Sequence, residues 1–301
     1  MTEPRDPRTP RPGSAARRRL ILTADDFGVS PEVNEAVVRG CRDGVLRFAS
    51  LMVAGACAAE AVARARRECP GLGLGLHAVL CSGAAVLPPG RLGGLTDADG
   101  RFPDDPVACG MRYFFERGLE GPLERELRAQ FEAFLAFGLR PGHVDGHVNV
   151  HAHPVVFPLL ARLAREYGFS RIRLPGGELG ASLGFSGRDW PRQLKEAAIF
   201  RALRAYLRRT GAAAGLAVAD ATYGLLRSGL MGTEYVLSAL DSLPEGLSEM
   251  YFHPSADPRT AVAGGGPRPG HHTFSDLEAL LDPRVRRRIE ELGIELVSAE
   301  A

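Results

Sequence analysis

The sequence predicts an α/β fold, a deformed (β/α) barrel of about seven parallel strands in a single domain. From residue 20 onward, short apolar runs alternate with amphipathic helical patterns, and no repeat or linker interrupts the alternation. This alternation of strands and helices favours a parallel sheet that closes, or nearly closes, into a barrel; an open doubly wound sheet is the alternative. Polar clusters at the ends of several predicted strands agree with it, because parallel α/β folds build their sites at that edge.

The chain divides into a short tail and one domain. Residues 1–18 are rich in Pro and Arg and have no apolar periodicity, so we predict that they are disordered and that residues 19–301 form the barrel domain. The apolar run after the arginines meets Asp25 and Asp26 too soon for the core of a secretory signal. No apolar stretch approaches the ~18–20 residues of a membrane-spanning helix, so we expect a cytoplasmic protein.

Charge and cysteine content exclude several classes of protein. The formal net charge is only +1, which gives no reason to expect a nucleic-acid partner. The 5 cysteines are scattered without a Cys-x-x-Cys pair, which argues against zinc-ribbon and thioredoxin-like sites, and their odd number argues against a disulfide framework. The composition, 45% hydrophobic and 24% charged in 301 residues, is that of an ordinary globular protein with a sizeable core.

The first half of the chain begins with a predicted strand, RLILTAD, that ends at two acids. The stretch SPEVNEAVVRGCRDG predicts a helix, because Ser30 suits its N-cap, Pro31 its first turn and Gly44 the position beyond its end. The next predicted elements are a strand in FASLMVAG, a helix in ACAAEAVARARREC and a strand in GLGLGLHAVL. Residues 82–106, rich in Gly, Pro and Asp, are predicted to form a long loop at the mouth of a site.

The second half of the chain continues the alternation of helices and strands. Four elements are predicted in order: a helix in PLERELRAQFEAFLAFG, a strand in GHVDGHVNV, a helix that begins at Pro154 in PVVFPLLARLAREYG, and a strand in SRIRLP. Further strands are predicted near 216–221, 248–252 and 293–298, and further helices near 190–209, 233–241 and 275–292. The intervening helices allow successive strands to run parallel.

Residues 143–153, HVDGHVNVHAH, hold half of the 8 histidines of the chain. Side chains of a strand alternate between its faces, so this pattern predicts that four polar residues share the face toward the barrel interior or its mouth: His143, Asp145, His147 and His151. Such groups are not buried together without hydrogen bonds or a metal ion, so a purely structural role fits poorly. Not all of them can be metal ligands, and some are expected to orient the others.

Other polar residues end further strands. Asp25 and Asp26 close the first strand, and His77 and His253 lie at the ends of later ones. Each has an ordinary interpretation by itself, as an acidic turn or a core histidine, but together they are expected to converge on one edge of the sheet. Two imidazoles and a carboxylate form a metal site that can activate water, and this ligand set favours Zn²⁺ or another transition ion over Mg²⁺.

Four motifs together resemble the YdjC-like (ChbG/HpnK) carbohydrate deacetylases. They are TADDFGVS, GLHAVL, HVDGHVNVHAHP and EMYFHP, and the resemblance runs from about residue 19 to about residue 298. The stretches SLMVAGACAAEAV, FPDDP and VDGH look most like the HpnK branch, which is named for hopanoid biosynthesis. The chain departs from many relatives at Val148 and Asn149, where they have consecutive histidines, and at Ser255, where they have Gly.

The resemblance implies a deformed barrel that removes acetyl groups from N-acetylated amino sugars. It implies one divalent metal ion bound by Asp26, His77 and His147; members are usually described with Mg²⁺, so Mg²⁺ and Zn²⁺ both stay open. It further implies that Asp25 is the general base and His253 the general acid. The remaining polar residues of the motif would bind substrate or orient the site: His143, Asp145 and His151.

We therefore predict a metal-dependent hydrolase that cleaves the N-acetyl amide of an amino sugar. The HpnK-like stretches imply an N-acetylglucosaminyl hopanoid, a glycolipid, as the substrate; the alternative is a soluble chito-oligosaccharide. A metal-dependent phosphoesterase or amidohydrolase fits less well, because such enzymes usually carry His-x-His near the first strand. A non-catalytic sugar-binding protein would need neither Asp25 nor His253.

A glycolipid substrate would require access to a membrane. Residues 190–209 carry apolar side chains at helical spacing among many arginines, a pattern that suits a basic helix lying on an anionic bilayer. An ordinary barrel helix with a solvated basic face is the favoured alternative. The expected partners are thus an acetylated amino sugar or glycolipid and no nucleic acid, with peripheral contact to the inner membrane and a homodimer both left open.

Overall fold

Parallel strands curl into one sheet, as the sequence predicts. The computed structural model describes residues 18–186, 189–259 and 272–299. Within them the strands are β1 (Arg18–Phe27), β2 (Phe48–Leu51), β3 (Gly73–Ala78), β4 (His143–Gly146), β5 (Arg171–Ile172), β6 (Ala221–Tyr223), β7 (Gly246–Phe252) and β8 (Glu295–Leu296). Seven of them follow the order β5-β4-β3-β2-β1-β7-β6, and β8 pairs with β1 outside this path. The pairing is parallel throughout.

The two edges of this sheet approach each other, which confirms the deformed barrel. An isolated parallel bridge joins Arg171 in β5 to Ala217, and an antiparallel bridge joins Gly176 to Thr222 in β6. The sheet therefore curls far enough to enclose a core, although continuous strand pairing does not cross this seam. The strand predicted at 216–221 begins later than expected, since β6 starts at Ala221.

Helices cover the outside of the sheet. They are α1 (Pro31–Arg42), α2 (Ala58–Glu68), α3 (Pro106–Phe115), α4 (Glu120–Ala136), α5 (Val156–Glu166), α6 (Leu179–Phe185), α7 (Trp190–Ala213), α8 (Thr233–Asp241), α9 (Phe274–Leu281) and α10 (Pro283–Glu291). The Ser30 side chain accepts a hydrogen bond from the Val33 N–H at 3.3 Å, which confirms the predicted N-cap of α1. None of the helices in the described segments is both long and apolar enough to cross a bilayer.

Several sequence-based boundaries need correction. Arg18, assigned to the tail, is the first residue of β1, while the predicted disorder of residues 1–17 lies outside the described residues. The helix predicted near 275–292 is two helices, because Pro283 has no N–H to continue α9 and Asp282 caps α10 instead. Helix α3 was not predicted, although Asp105 followed by Pro106 is a typical helix start.

The strand predicted over GHVDGHVNV is wrong beyond its first residues. Strand β4 ends at Gly146, and a 3₁₀ turn, His147–Ala152, follows it. Val148 and Asn149 lie in the left-handed region, with φ of 48° and 56°, so the chain bends away from the sheet there. The alternation of side chains therefore does not extend to Asn149 and His151.

Strand β1 lies in the middle of the sheet, which places its carboxyl end at the centre of the fold. It pairs with β2 on one side and with β7 on the other, and Leu20, Leu22 and Ala24 are fully or almost fully buried. The two aspartates that end β1 are consequently surrounded by the ends of neighbouring strands. This position determines which side chains they meet.

Candidate active site

Three side chains from separate strands meet at the end of β1. The Oδ1 atom of Asp26 lies 2.7 Å from Nδ1 of His147 and 3.0 Å from Nε2 of His77. One donor atom from each residue lies within 4.8 Å of the other two, and all three residues are buried. A carboxylate oxygen and two imidazole nitrogens in this arrangement fit a divalent cation.

Electrostatics at Asp26 favour the charged carboxylate that a cation requires. Burial alone would raise the pKa of Asp26, but the His147 imidazole and hydrogen bonds from the surrounding histidines hold it well below its usual value. The backbone of Asp26 has a φ of 61°, in the left-handed region that aspartate tolerates better than most residues. This conformation turns the side chain away from the regular alternation of β1.

A second layer of side chains orients His77. Its Nδ1 atom lies 2.7 Å from Oδ1 of Asp145, so its other nitrogen faces Asp26. Ser50 donates to Oδ2 of Asp145 at 2.7 Å, and Oγ of Ser50 lies 3.0 Å from Nε2 of His143. A carboxylate behind a histidine is the common way to orient a metal ligand. Asp145 and His143 thus occupy positions from which they can orient the site.

Arg173 is a central residue that sequence reasoning missed. Its guanidinium binds Asp25 through two hydrogen bonds of 2.6 and 2.9 Å, contacts Asp145 at 2.7 Å and donates to Glu249 at 2.8 Å. It is 2% exposed, and its Cζ lies 4.4 Å from the centre of the Tyr251 ring. The stretch SRIRLP offered a signal, because an arginine at the end of a barrel strand needs buried anionic partners.

Asp25 lies beside the three-residue cluster and has an unusual pKa. Burial raises the pKa of Asp25 to about 6, although the Arg173 charge opposes this shift and the Asp145 carboxylate adds to it. A carboxylate that titrates near neutrality can accept a proton from water more readily than an ordinary aspartate.

His253 follows the end of β7 and faces Asp25. Its Nε2 atom lies 4.0 Å from Oδ2 of Asp25, and its Nδ1 lies 3.5 Å from Oγ of Ser228. Its backbone N–H donates to Asp276 at 2.9 Å, which anchors the residue. Burial lowers the pKa of His253 to about 3, so its ring is neutral at pH 7.

His151, predicted to bind substrate or to orient the site, and His272, which was not predicted, occupy different positions relative to Asp26. His151 is buried against Gly146, and neither donor cluster found among the described residues includes it, so the structure does not bring it to Asp26. His272, which sequence reasoning did not single out, places Nε2 2.9 Å from Oδ2 of Asp26. Its signal in the sequence is weak, because a histidine before a helix is unremarkable.

Of the residues described above, Asp25 and His253 line a pocket of about 270 Å³. Asp25, His253 and Tyr251 form its polar base, and Asn149 reaches the Tyr251 hydroxyl at 3.3 Å. Helices α3 and α7 form the walls of the pocket through Pro106, Val107, Arg192, Glu196 and Phe200. The site is therefore a concave pocket with charged groups on the floor and mixed groups at the rim.

The chain matches the family model described as YdjC-like protein over residues 19–291. The chain belongs to the YdjC-like family. Its four sequence motifs are the segments that bring Asp25, Asp26, His77, His147 and His253 together, so the resemblance and the geometry concern the same residues.

Named relatives of this YdjC-like chain are deacetylases by description. It is 42% identical to a carbohydrate deacetylase of Geobacillus stearothermophilus over 151 residues, which are 50% of this chain and 57% of that protein. It is 31% identical to a human (Homo sapiens) carbohydrate deacetylase over 310 residues, with 95% of this chain and 92% of the relative covered. The chain thus spans little more than half the length of the Geobacillus relative and nearly all of the human one.

A solved structure also shares the fold of this YdjC-like chain. It is a crystal structure of an Enterococcus faecalis V583 protein, with a TM-score of 0.68 and 24% sequence identity, and the match covers 94% of this chain and 98% of that one. At this identity the likeness concerns the fold alone.

Proposed function

We propose that this YdjC-like protein is a metal-dependent carbohydrate N-deacetylase. One observation carries the proposal: the Asp25 carboxylate lies beside a buried cluster of Asp26, His77 and His147, with His253 across from it. A general base, a cation site and a proton donor are the groups that hydrolysis of an amide requires. The descriptions of the bacterial and human relatives support the same reaction class.

Asp26, His77 and His147 would hold the ion, which when bound supplies a Lewis acid for the acetyl oxygen and for a nucleophilic water. Arg173 holds both oxygens of Asp25 and thereby fixes the direction in which this carboxylate accepts a proton. Asp25 is ionised above about pH 6, so at neutral pH it can take a proton from the attacking water. The two hydrogen bonds from Arg173 hold the Asp25 carboxylate in place while it lines the pocket.

His253 would supply the proton that the departing amine needs. Its neutral ring would first have to accept a proton; the Nε2–Oδ2 distance to Asp25 of 4.0 Å is too long for a direct hydrogen bond, so the proton taken from water would have to pass through the reacting groups bound between the two residues. The C–N bond then breaks as the amine nitrogen takes the proton from His253, which gives acetate and a free amino sugar. Ser228 contacts the imidazole, and Asp276 anchors the backbone N–H of His253.

For the substrate we propose an N-acetylglucosaminyl hopanoid, a glycolipid. Large apolar side chains are exposed on both helices that wall the pocket: Val107, Met111, Phe114 and Phe115 on α3, and Trp190, Leu194, Ile199 and Tyr206 on α7. Val107 lines the pocket and the apolar surface of α3 alike, so the two are continuous. Covering such a surface with an apolar aglycone is favourable, by about 25 cal/mol per Å² buried.

The proposal includes peripheral membrane contact through residues 190–209, although the exposed apolar surface of α7 is smaller than the predicted stripe. The predicted apolar stripe of α7 is split: Leu207 is buried, whereas Ile199 and Tyr206 are 47% and 50% exposed. Exposed apolar residues among arginines can still insert into an anionic surface at the cytoplasmic face of the inner membrane.

Flotation with anionic liposomes tests this contact. The wild-type protein should float with the liposomes, and an Ile199→Ser and Tyr206→Ser double variant should float less. A homodimer formed through this face would instead appear in sedimentation.

A soluble substrate is a second candidate, favoured by a specific relative. The chain is 34% identical to a chitooligosaccharide deacetylase of Escherichia fergusonii over 202 residues, which are 62% of this chain and 75% of that protein. The same catalytic groups would act on either substrate, because the acetamide is common to both. The rim of the pocket would decide between them.

Acetate release tests the proposal and separates the two substrates. The protein loaded with Zn²⁺ or with Mg²⁺ is incubated with N-acetylglucosaminyl hopanoid in detergent and, separately, with diacetylchitobiose. Release from the hopanoid is expected, and release from diacetylchitobiose alone would move the protein to the soluble substrate class. Asp25→Asn should bind metal normally and lose about 10²–10⁴-fold in rate. No release from either substrate with either ion would contradict the deacetylase proposal.

A further inference from the structure

His272 contacts a different oxygen of the Asp26 carboxylate from the one that the other imidazoles contact. Its Nε2 lies 2.9 Å from Oδ2 of Asp26, whereas His77 and His147 approach Oδ1. Among the described residues, the donor cluster whose atoms lie within 4.8 Å of one another contains Asp26, His77 and His147 but not His272. His272 therefore touches the carboxylate without joining the group that can surround one ion.

The backbone beside His272 is held firmly in place. The Thr273 N–H donates to the His253 carbonyl at 2.8 Å, and the Ser255 N–H donates to the Thr273 carbonyl at 2.9 Å. Buried Asp276 accepts from both the His253 N–H and the Thr273 hydroxyl, at 2.9 and 2.8 Å. These bonds tie the segment that carries His272 to the end of β7, the strand beside β1, and so hold its imidazole close to Asp26.

We propose that His272 is a positioning residue for the metal site. By donating from Nε2 to Oδ2 of Asp26, it leaves Oδ1 directed at His77 and His147, and so presents one oxygen of the carboxylate to the ion. Without this bond the carboxylate could rotate about its Cβ–Cγ bond or turn both oxygens toward the ion. The inference rests on the proposed function, because it assigns a role within the proposed cation site.

The magnitude expected is that of a residue which orients a ligand. Replacement of such hydrogen-bond partners typically weakens metal affinity by about 10–100-fold, whereas loss of a direct ligand weakens it far more. The His272 side chain is 23% exposed, so its replacement leaves no fully buried cavity. The substitution should therefore change metal binding without unfolding the barrel.

Metal titrations of the full chain test this role. The affinities of wild type, His272→Ala and His272→Gln for Zn²⁺ are measured by competition with a chromophoric chelator, and the visible spectrum of the Co²⁺ forms reports the ligand geometry. We expect His272→Ala to bind about tenfold more weakly. The glutamine variant, which keeps a side-chain N–H donor, should recover most of this loss. His153→Ala removes an imidazole that lies against α3 and away from Asp26, and it should bind like wild type.

Two results would overturn the inference. Wild-type affinity in His272→Ala would show that the contact does not position Asp26. Loss of all measurable binding together with a changed Co²⁺ spectrum would show that His272 is itself a ligand. If the wild-type protein bound neither Zn²⁺ nor Co²⁺, the proposed function itself would fail, and not only the role of His272. Acetate release by the wild type distinguishes these two failures. Circular dichroism melting of the metal-free variants verifies that each is folded.

Discussion

At the scale of single residues, Arg173 connects the most charges in the site. It is buried among three carboxylates, those of Asp25, Asp145 and Glu249. The three acids repel one another, and the guanidinium offsets this repulsion while it fixes the direction of Asp25. Removal of one member of a buried ion network leaves the others uncompensated, which costs more than the pair contributes.

We expect Arg173→Met to lower the free energy of unfolding by about 3–5 kcal/mol, because three buried carboxylates lose their cation. Urea denaturation at pH 7.5 measures the change. Arg128→Met is the matched control: Arg128 pairs with Glu124 and Glu166 on the surface, where the three side chains are between a third and half exposed, so the loss there should stay near or below about 1 kcal/mol. Equal losses in the two variants would contradict the importance of the buried network.

A second prediction at this scale concerns His143 and pH. Burial, with help from the Arg171 charge, lowers the pKa of His143 from 6.5 to about 3. In the unfolded chain this imidazole takes up a proton near pH 6.5, whereas in the folded protein it stays neutral until about pH 3. Stability is therefore lost as the pH falls below about 6.5, by about 1.4 kcal/mol between pH 7.5 and 5.5 for this group.

His143→Gln removes this proton-linked contribution. Between pH 7.5 and 5.5 the variant should lose about 1.4 kcal/mol less stability than wild type, as measured by urea denaturation at each pH. The comparison is between slopes, so a general destabilisation by the substitution does not obscure it. Identical pH dependence in the two proteins would mean that His143 is not buried in its neutral form.

At the scale of elements, the turn after β4 decides where His147 lies. Strand β4 carries His143 and Asp145 inward, and the chain then leaves the sheet through left-handed Val148 and Asn149. Gly146 permits this bend, because a Cβ there would lie 2.9 Å from Cβ of His151 and 3.1 Å from the Ala78 carbonyl oxygen. Such contacts are too close for any side chain without a shift of the turn.

Gly146→Ala should therefore displace the turn and His147 with it. We expect a loss of about 1–3 kcal/mol of stability and weaker Zn²⁺ binding, measured by thermal unfolding and chelator competition. Gly71→Ala is the control, because nothing lies within 4 Å of a Cβ at that position. If both variants bind Zn²⁺ as wild type does, the turn does not depend on a glycine.

At the scale of the whole molecule, the sheet order explains why distant residues meet. Strands β2, β3 and β4 follow β1 on one side and β7 adjoins it on the other, so the carboxyl ends of β1, β3, β4 and β7 face one pocket. Their side chains supply the proposed base, acid and cation ligands. An ion bound there would cross-link segments that the chain separates widely, and it would bind only the folded state.

Metal should consequently raise the melting temperature of the whole domain. With Zn²⁺ at ~100 times its dissociation constant, the folded state gains about 2.7 kcal/mol, and a chelator should abolish the gain. Differential scanning calorimetry with and without the ion measures the shift. In His147→Ala the shift should disappear; a shift of the same size in this variant would place the ion elsewhere.

Local sequence signals determined the secondary structure and most of the site. The alternation of apolar runs and amphipathic helices predicted the barrel, and the polar ends of strands predicted that their side chains converge on one edge of the sheet. The resemblance to the YdjC-like deacetylases implied that Asp26, His77 and His147 form the cluster. These features depend on periodicity and on residues at fixed offsets, which a sequence displays directly. The same signals failed at Gly146, where the packing of His151 and Ala78 overrides the strand pattern.

Only the tertiary structure decided the partners of the buried charges. Arg173 meets Asp25 across 148 residues of chain, and His272 meets Asp26 across 246. No local pattern marks such pairs, because each side chain by itself suits a surface as well as a core. Their roles depend on burial and on the direction of approach, and these exist only once the sheet has curled and its strand ends have come together.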